Sequence, residues 1–264
     1  MTRSSTPDGP VESSEPTTTD RLRAACMVAA AGLMVLVPTL GPVIAGTEEG
    51  AEEFDTEITP PDYAFAIWAP IFAGVAANAI QHAVRPAAAV NRRTGWWLTA
   101  AYGANTAWSV AAQANRFQYT PYILPLAAAF AGTAHRRAQA GRPHGPDRLV
   151  APSSGLLFGW TSVASVVNVF ATRRRGRFAP TTRSGRTAAR LAVLGAAAAL
   201  GTTIATSRRG YTPIAVAGGW ALATSAANRE RPVRTRVFNA TGAALIVGTT
   251  AIRLWTDRRC RHRA

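Results

Sequence analysis

A chain of 264 residues has room for one or two ordinary domains, and 29 basic residues against 14 carboxylates give it a formal charge of +15. Every basic residue is an arginine, but the arginines stand in short clusters between long uncharged runs, which is the pattern of basic loops flanking membrane helices and not of a nucleic-acid-binding face. The only cysteines, Cys26 and Cys260, lie far apart, which argues against a disulfide framework or a thiolate zinc site.

Residues 1–20 are rich in Ser, Thr, Pro and acid and are expected to be a disordered tail. Eight apolar runs follow, at 24–47, 63–84, 94–115, 117–135, 149–172, 191–207, 210–228 and 237–252. The first five have about the length needed to cross ~30 Å of hydrocarbon as a helix, and the last three sit at the short end of that range. Backbone groups in lipid must pair internally, and the runs lack the period-2 polarity of barrel strands. The expected fold is therefore all-α: a polytopic transmembrane bundle of about eight helices, with seven as the alternative. It divides into a five-helix core at 21–172, an Arg-rich loop at 173–186, three further helices within 187–256 and a basic tail at 257–264.

The first run could also be a secretory signal, but its polar leader and long apolar stretch favour a retained helix. Seven acidic residues lie between Glu48 and Asp62. Thr59, Pro60 and Asp62 then form a capping-box-like start for the second helix, and Pro70, one turn inside, is expected to bend it. Loop arginines alternate cleanly through the fifth helix, which puts the N-terminus in the cytoplasm of a plasma-membrane protein and the acidic loop outside. The next loop, "RRRGRFAPTTRSGR", breaks the alternation with six arginines.

Polar side chains within the runs are costly in lipid and face protein or a cavity; the notable ones are Asn78, Asn105, Gln113, Asn168 and Asn228. Asn105 and Trp108 are three apart, and Trp160, Ala164 and Asn168 are spaced by fours, so each set shares a helix face. With Trp68 they could enclose an aromatic pocket with a few polar anchors. Equally, such asparagines serve as glue between helices. Trp96, Trp97, Tyr211 and Trp255 are expected in the interfacial belt, and His82 and His135 at the interface. No carboxylate lies in an apolar run after Asp62, which argues against a proton-coupled pump. Neither a Gly-rich phosphate loop nor a nucleophile–base–acid constellation is evident, so an enzyme is not the expected class.

The segment "PPDYAFAIWAPIF", the "NTAW" of the third helix and the "WTSVASVVN" of the fifth resemble the tryptophan-rich sensory protein family (TspO/MBR), which includes the mitochondrial translocator protein or peripheral benzodiazepine receptor. The likeness covers roughly 24–172. Trp68 and Phe72 stand where the family tends to have Trp and Tyr, Asn105 and Trp108 match its Asn-x-x-Trp, and Trp160, Ala164 and Asn168 match its Trp-x3-Ala-x3-Asn. The chain departs from the family in its acidic first loop, in Leu156 where the helix-5 proline would stand, in lacking Pro and Phe-Phe after Trp108, and in its three added helices. The resemblance implies a five-helix membrane core whose Trp68, Phe72, Asn105, Trp108, Trp160, Ala164 and Asn168 bind a hydrophobic planar ligand, a tetrapyrrole (porphyrin or haem type) or a sterol-like molecule, as a sensor or regulator. The alternatives are a transporter of a small hydrophobic molecule and a porphyrin-degrading enzyme. No cofactor or metal is required, the partners are the lipid bilayer and the small hydrophobic ligand and not nucleic acid, and a homodimer is left open.

Overall fold

The computed structural model describes residues 15–45, 54–173 and 175–261. The first 14 residues of the expected tail, the carboxylates from Glu48 to Glu53, Arg174 and the last three residues lie outside that set. Among the described residues there are eight α-helices and no strands: α1 Thr18–Ala45, α2 Trp68–Val84, α3 Ala89–Gln113, α4 Thr120–Arg137, α5 Val150–Ala171, α6 Arg183–Thr206, α7 Tyr211–Ala227 and α8 Val233–Arg261. Five segments are long and apolar enough to cross a membrane: Thr18–Gly41, Asp62–Val84, Gly145–Ala171, Arg183–Thr206 and Val233–Cys260. The other three helices are short or carry charges at an end, as α3 does with Arg92 and Arg93.

The first five helices close a ring in which α1 packs on α2 and α3, α3 on α4, α4 on α5, and α5 on α2. Helices α6, α7 and α8 pack on one another, and the group joins the ring mainly through α7 against α5. The join depends on missing side chains. A Cβ on Gly159 would stand 2.5 Å from the backbone oxygen of Ile214, and one on Gly155 would stand 2.6 Å from that of Gly210. The Gly155-x3-Gly159 pair thus lets the two backbones touch, the usual device for helix association where lipid removes the hydrophobic drive.

Polar contacts lock the join at both ends. At one end, buried His135 of α4 donates from Nδ1 to the Ala151 carbonyl and accepts at Nε2 from the Ser207 hydroxyl (3.0 Å), while Gln139 Oε1 accepts from the backbone N–H groups of Arg208 and Arg209. At the other end, the stretch after residue 53 crosses to the three-helix group. Arg231 grips Asp55 with two bonds of 2.7 Å, and Arg190 reaches Glu57 at 2.9 Å and Thr235 at 2.9 Å. Hydrogen bonding to Asp55 raises the Arg231 guanidinium above its already high pKa, so this clamp stays charged. The Arg-rich loop that breaks the arginine alternation therefore lies at the same end of the bundle as the acidic stretch, whose described carboxylates complement arginines of that end.

Several local expectations are corrected. The helix of α1 begins at Thr18, inside the expected tail, because Asp20 is buried and bound by Arg23 and Arg92 at 2.8 and 2.7 Å. Thr59 does not cap helix 2. It closes a turn with Thr56, and a 3₁₀ segment, Asp62–Ile67, starts after Pro61 instead. Pro70 then falls in the first turn of α2, where its missing N–H and fixed φ suit the helix, so no bend is required. His82 and His135, in the last turns of α2 and α4, are fully buried and not exposed at the surface, His82 bonded to the Asn78 carbonyl and His135 to Ala151 and Ser207. Tyr211 is buried too, donating to Asp257 at 2.8 Å. Asn228 lies beyond α7 and not in a span, with its Oδ1 accepting from the Glu230 N–H.

Candidate functional site

The 3₁₀ entry to α2 sets the aromatic geometry. Trp68 and Phe72, four apart, stack at 5.4 Å between centroids. Trp160 of α5, only 2% exposed, meets the edge of Trp68 at 6.2 Å, and Phe65 meets Trp160 at 5.6 Å, both nearly perpendicular. These are the stacked and edge-to-face arrangements that aromatic quadrupoles favour. Phe65 is 42% exposed and forms the accessible edge of the cluster. Just before it, Tyr63 packs on Trp220 of α7, whose indole N–H donates to the Ala64 carbonyl at 2.8 Å.

One and two turns along α5 from Trp160 come Ala164 and Asn168. Asn168, buried, accepts from the indole N–H of Trp108 at 3.3 Å, so the α3 and α5 motifs meet directly. Asn105 is also buried and donates to the Ala101 carbonyl of its own helix, while its Oδ1 has no partner among the described residues. Sequence spacing therefore leads to two adjoining groups on one α5 stripe: Trp68, Phe72 and Trp160 together, and Trp108 with Asn168. Among the described residues no hydrogen bond joins the Asn105 side chain to either group; it shares only the helix with Trp108.

The other candidate residues have structural partners. Asn78 donates to the Tyr102 hydroxyl at 2.9 Å, and Gln113 donates to the Val37 carbonyl of α1. Trp97 is half-buried against Phe130 beneath the Arg137 guanidinium, while Trp96 and Trp255 are exposed as belt residues would be. Reasoning from the sequence missed Phe65, although it lies three residues before Trp68, and missed Trp220, which no motif marks. The His/Cys/Asp/Glu side chains form no metal-binding group among the described residues.

A groove of about 670 Å³ lies on the opposite face of the α2 entry from these rings, between Ala66, Ile67 and Pro70, the outer face of α7 and α8. It contains none of the candidate residues.

No curated protein and no solved structure matches the chain. A family model described as TSPO-like protein matches residues 22–253, which takes in the ring and all three added helices up to the last turns of α8. The added helices are thus within the family's pattern and not an appendage to it, and the chain belongs to the TSPO-like protein family.

Proposed function

We propose that this membrane protein binds a flat hydrophobic molecule, a tetrapyrrole or a sterol-like compound, against the aromatic cluster of Trp68, Phe72 and Trp160, and serves as its sensor or regulator. The observation that carries the reading is the convergence of those rings from α2 and α5, with Phe65 as an exposed edge onto which a planar ligand can stack. Each such pair contributes roughly 0.5–1.5 kcal/mol beyond area burial. Trp108, held by Asn168, and the Ala164 gap between them extend the same wall. Membership of the family supports the membrane setting, and the ligand class rests on the motif likeness.

A porphyrin titration of detergent-purified protein tests this. Bound porphyrin should quench tryptophan fluorescence, and Trp68→Ala and Trp160→Ala should each weaken binding more than Trp97→Ala, with folding checked for every variant. Equal affinity in all four proteins, or no binding by the wild type, refutes the site.

The orientation belongs to the same proposal: the protein sits in the plasma membrane with its N-terminus and the 136–148 loop in the cytoplasm, supported by the arginine alternation. In a background without Cys26 and Cys260, an impermeant thiol reagent on intact cells should label a cysteine at position 183 and not one at 142. The reverse pattern inverts the topology.

A further inference from the structure

The groove opposite the aromatic cluster is almost wholly apolar. Small side chains, among them Ala215, Gly219 and Ala251, leave it open, and Trp220 forms part of its wall. On α7 it extends from Thr212 to Ala223, about 16 Å at 1.5 Å per residue. Both bounding helices are part of the membrane bundle, so the medium that meets the groove is hydrocarbon.

The Thr212 and Leu254 end of the groove is basic. Val247, Ala251 and Leu254 form one stripe of α8, and Arg258, one turn further, continues it. Arg258 and Arg208 are exposed there, and no hydrogen bond or ion pair engages either side chain among the described residues. Arg209 at the same end is occupied by the Gly141 carbonyl. The nearby carboxylate, Asp257, is taken by Arg253 and Tyr211. Charge complementarity therefore asks for an anion at the mouth of an apolar channel, and basic residues at a membrane surface draw anionic headgroups.

We propose that this groove is a lipid site, distinct from the aromatic cluster, that takes one acyl chain of an anionic phospholipid along α7 and α8 and its phosphate at Arg258. Its occupant would join α2, α7 and α8 across the outside of the bundle.

The test is thermal unfolding of the full chain in nanodiscs of phosphatidylcholine with and without phosphatidylglycerol, together with counting of retained lipids by native mass spectrometry. Phosphatidylglycerol should raise the melting temperature of the wild type. Arg258→Ala should weaken its binding about fivefold, the effect of one basic residue at a membrane surface. Ala251→Trp, which fills the groove from an exposed position, should abolish the gain while melting like the wild type in pure phosphatidylcholine. If Ala251→Trp does not fold, Val247→Phe, also at an exposed position, replaces it. The proposal is overturned if both variants keep the full phosphatidylglycerol effect, if a sterol in phosphatidylcholine reproduces it, or if glycerol phosphate alone does.

Discussion

The five-helix ring and the three-helix group are both built for lipid, yet they hold together by different means. In the ring, polar side chains bridge the helices: Asn78 to Tyr102, Asp20 to Arg92, Trp108 to Asn168 and Gln113 to the α1 backbone. In the group, the buried positions are mostly Ala, Val, Leu, Ile and Gly, such as Ala189, Val193, Ala197, Leu200, Ile214 and Ala217. Its polar bonds to the rest of the molecule gather at the two ends of the bundle. Lipid offers no hydrophobic drive between helices, so association needs either hydrogen bonds or backbone-close packing. The ring relies on the first along its length, whereas the group relies on the second in its interior and keeps its own polar bridges, Arg190 to Thr235 and Tyr211 to Asp257, at its ends. The site proposed for the planar ligand is in the ring, where aromatic partners converge, while the group holds the stretch that leads into α2 through Trp220 and the Asp55 and Glu57 clamps.

The largest break in this contrast is expected from Arg190→Ala. Glu57 has a side chain only 9% exposed, and removing its partner strands a charge, costing about 3 kcal/mol in a detergent unfolding titration. The double variant Arg190→Met/Glu57→Leu should recover most of that loss; no recovery would mean that the pair does not act as a unit. Next comes Gly159→Leu, which forces a side chain into the Ile214 backbone and should cost about 2 kcal/mol, whereas Gly195→Leu on α6, where an added Cβ meets nothing within 4 Å, should be near neutral. Equal effects at the two glycines would remove the close-packed joint from the account. Arg231→Ala breaks a half-exposed clamp and should cost about 1 kcal/mol, shrinking at high salt. Asn168→Leu, which deletes one interhelical bond inside the ring, should cost about 0.6 kcal/mol in the same titration, and unchanged unfolding would deny the Trp108 bond any role in stability.

The helix count was legible because long uncharged runs can be little else in a chain of this charge. Their ends were not, because hydropathy marks where charge begins and not where helix stops. Helix α3 starts at Ala89, ahead of Arg92 and Arg93, and α8 runs on through Arg258 and Arg259 to Arg261. The start of α2 was misjudged because Thr59 has the spacing of a cap, while its hydroxyl is already engaged by Thr56. The Trp160, Ala164 and Asn168 stripe was legible from period alone; its meeting with Trp108 was not, because that depends on how α3 and α5 are set in the ring. Phe65 was not, since a 3₁₀ segment sets its direction. Trp220 was not, because its importance comes from a backbone carbonyl 156 residues away.

The most direct test of the central claim is to locate bound porphyrin in an experimental structure of the protein in nanodiscs. The account predicts the macrocycle against Phe65, Trp68 and Trp160 of the ring. A macrocycle in the groove between α2, α7 and α8, or stacked at Trp97 beneath Arg137, would contradict it.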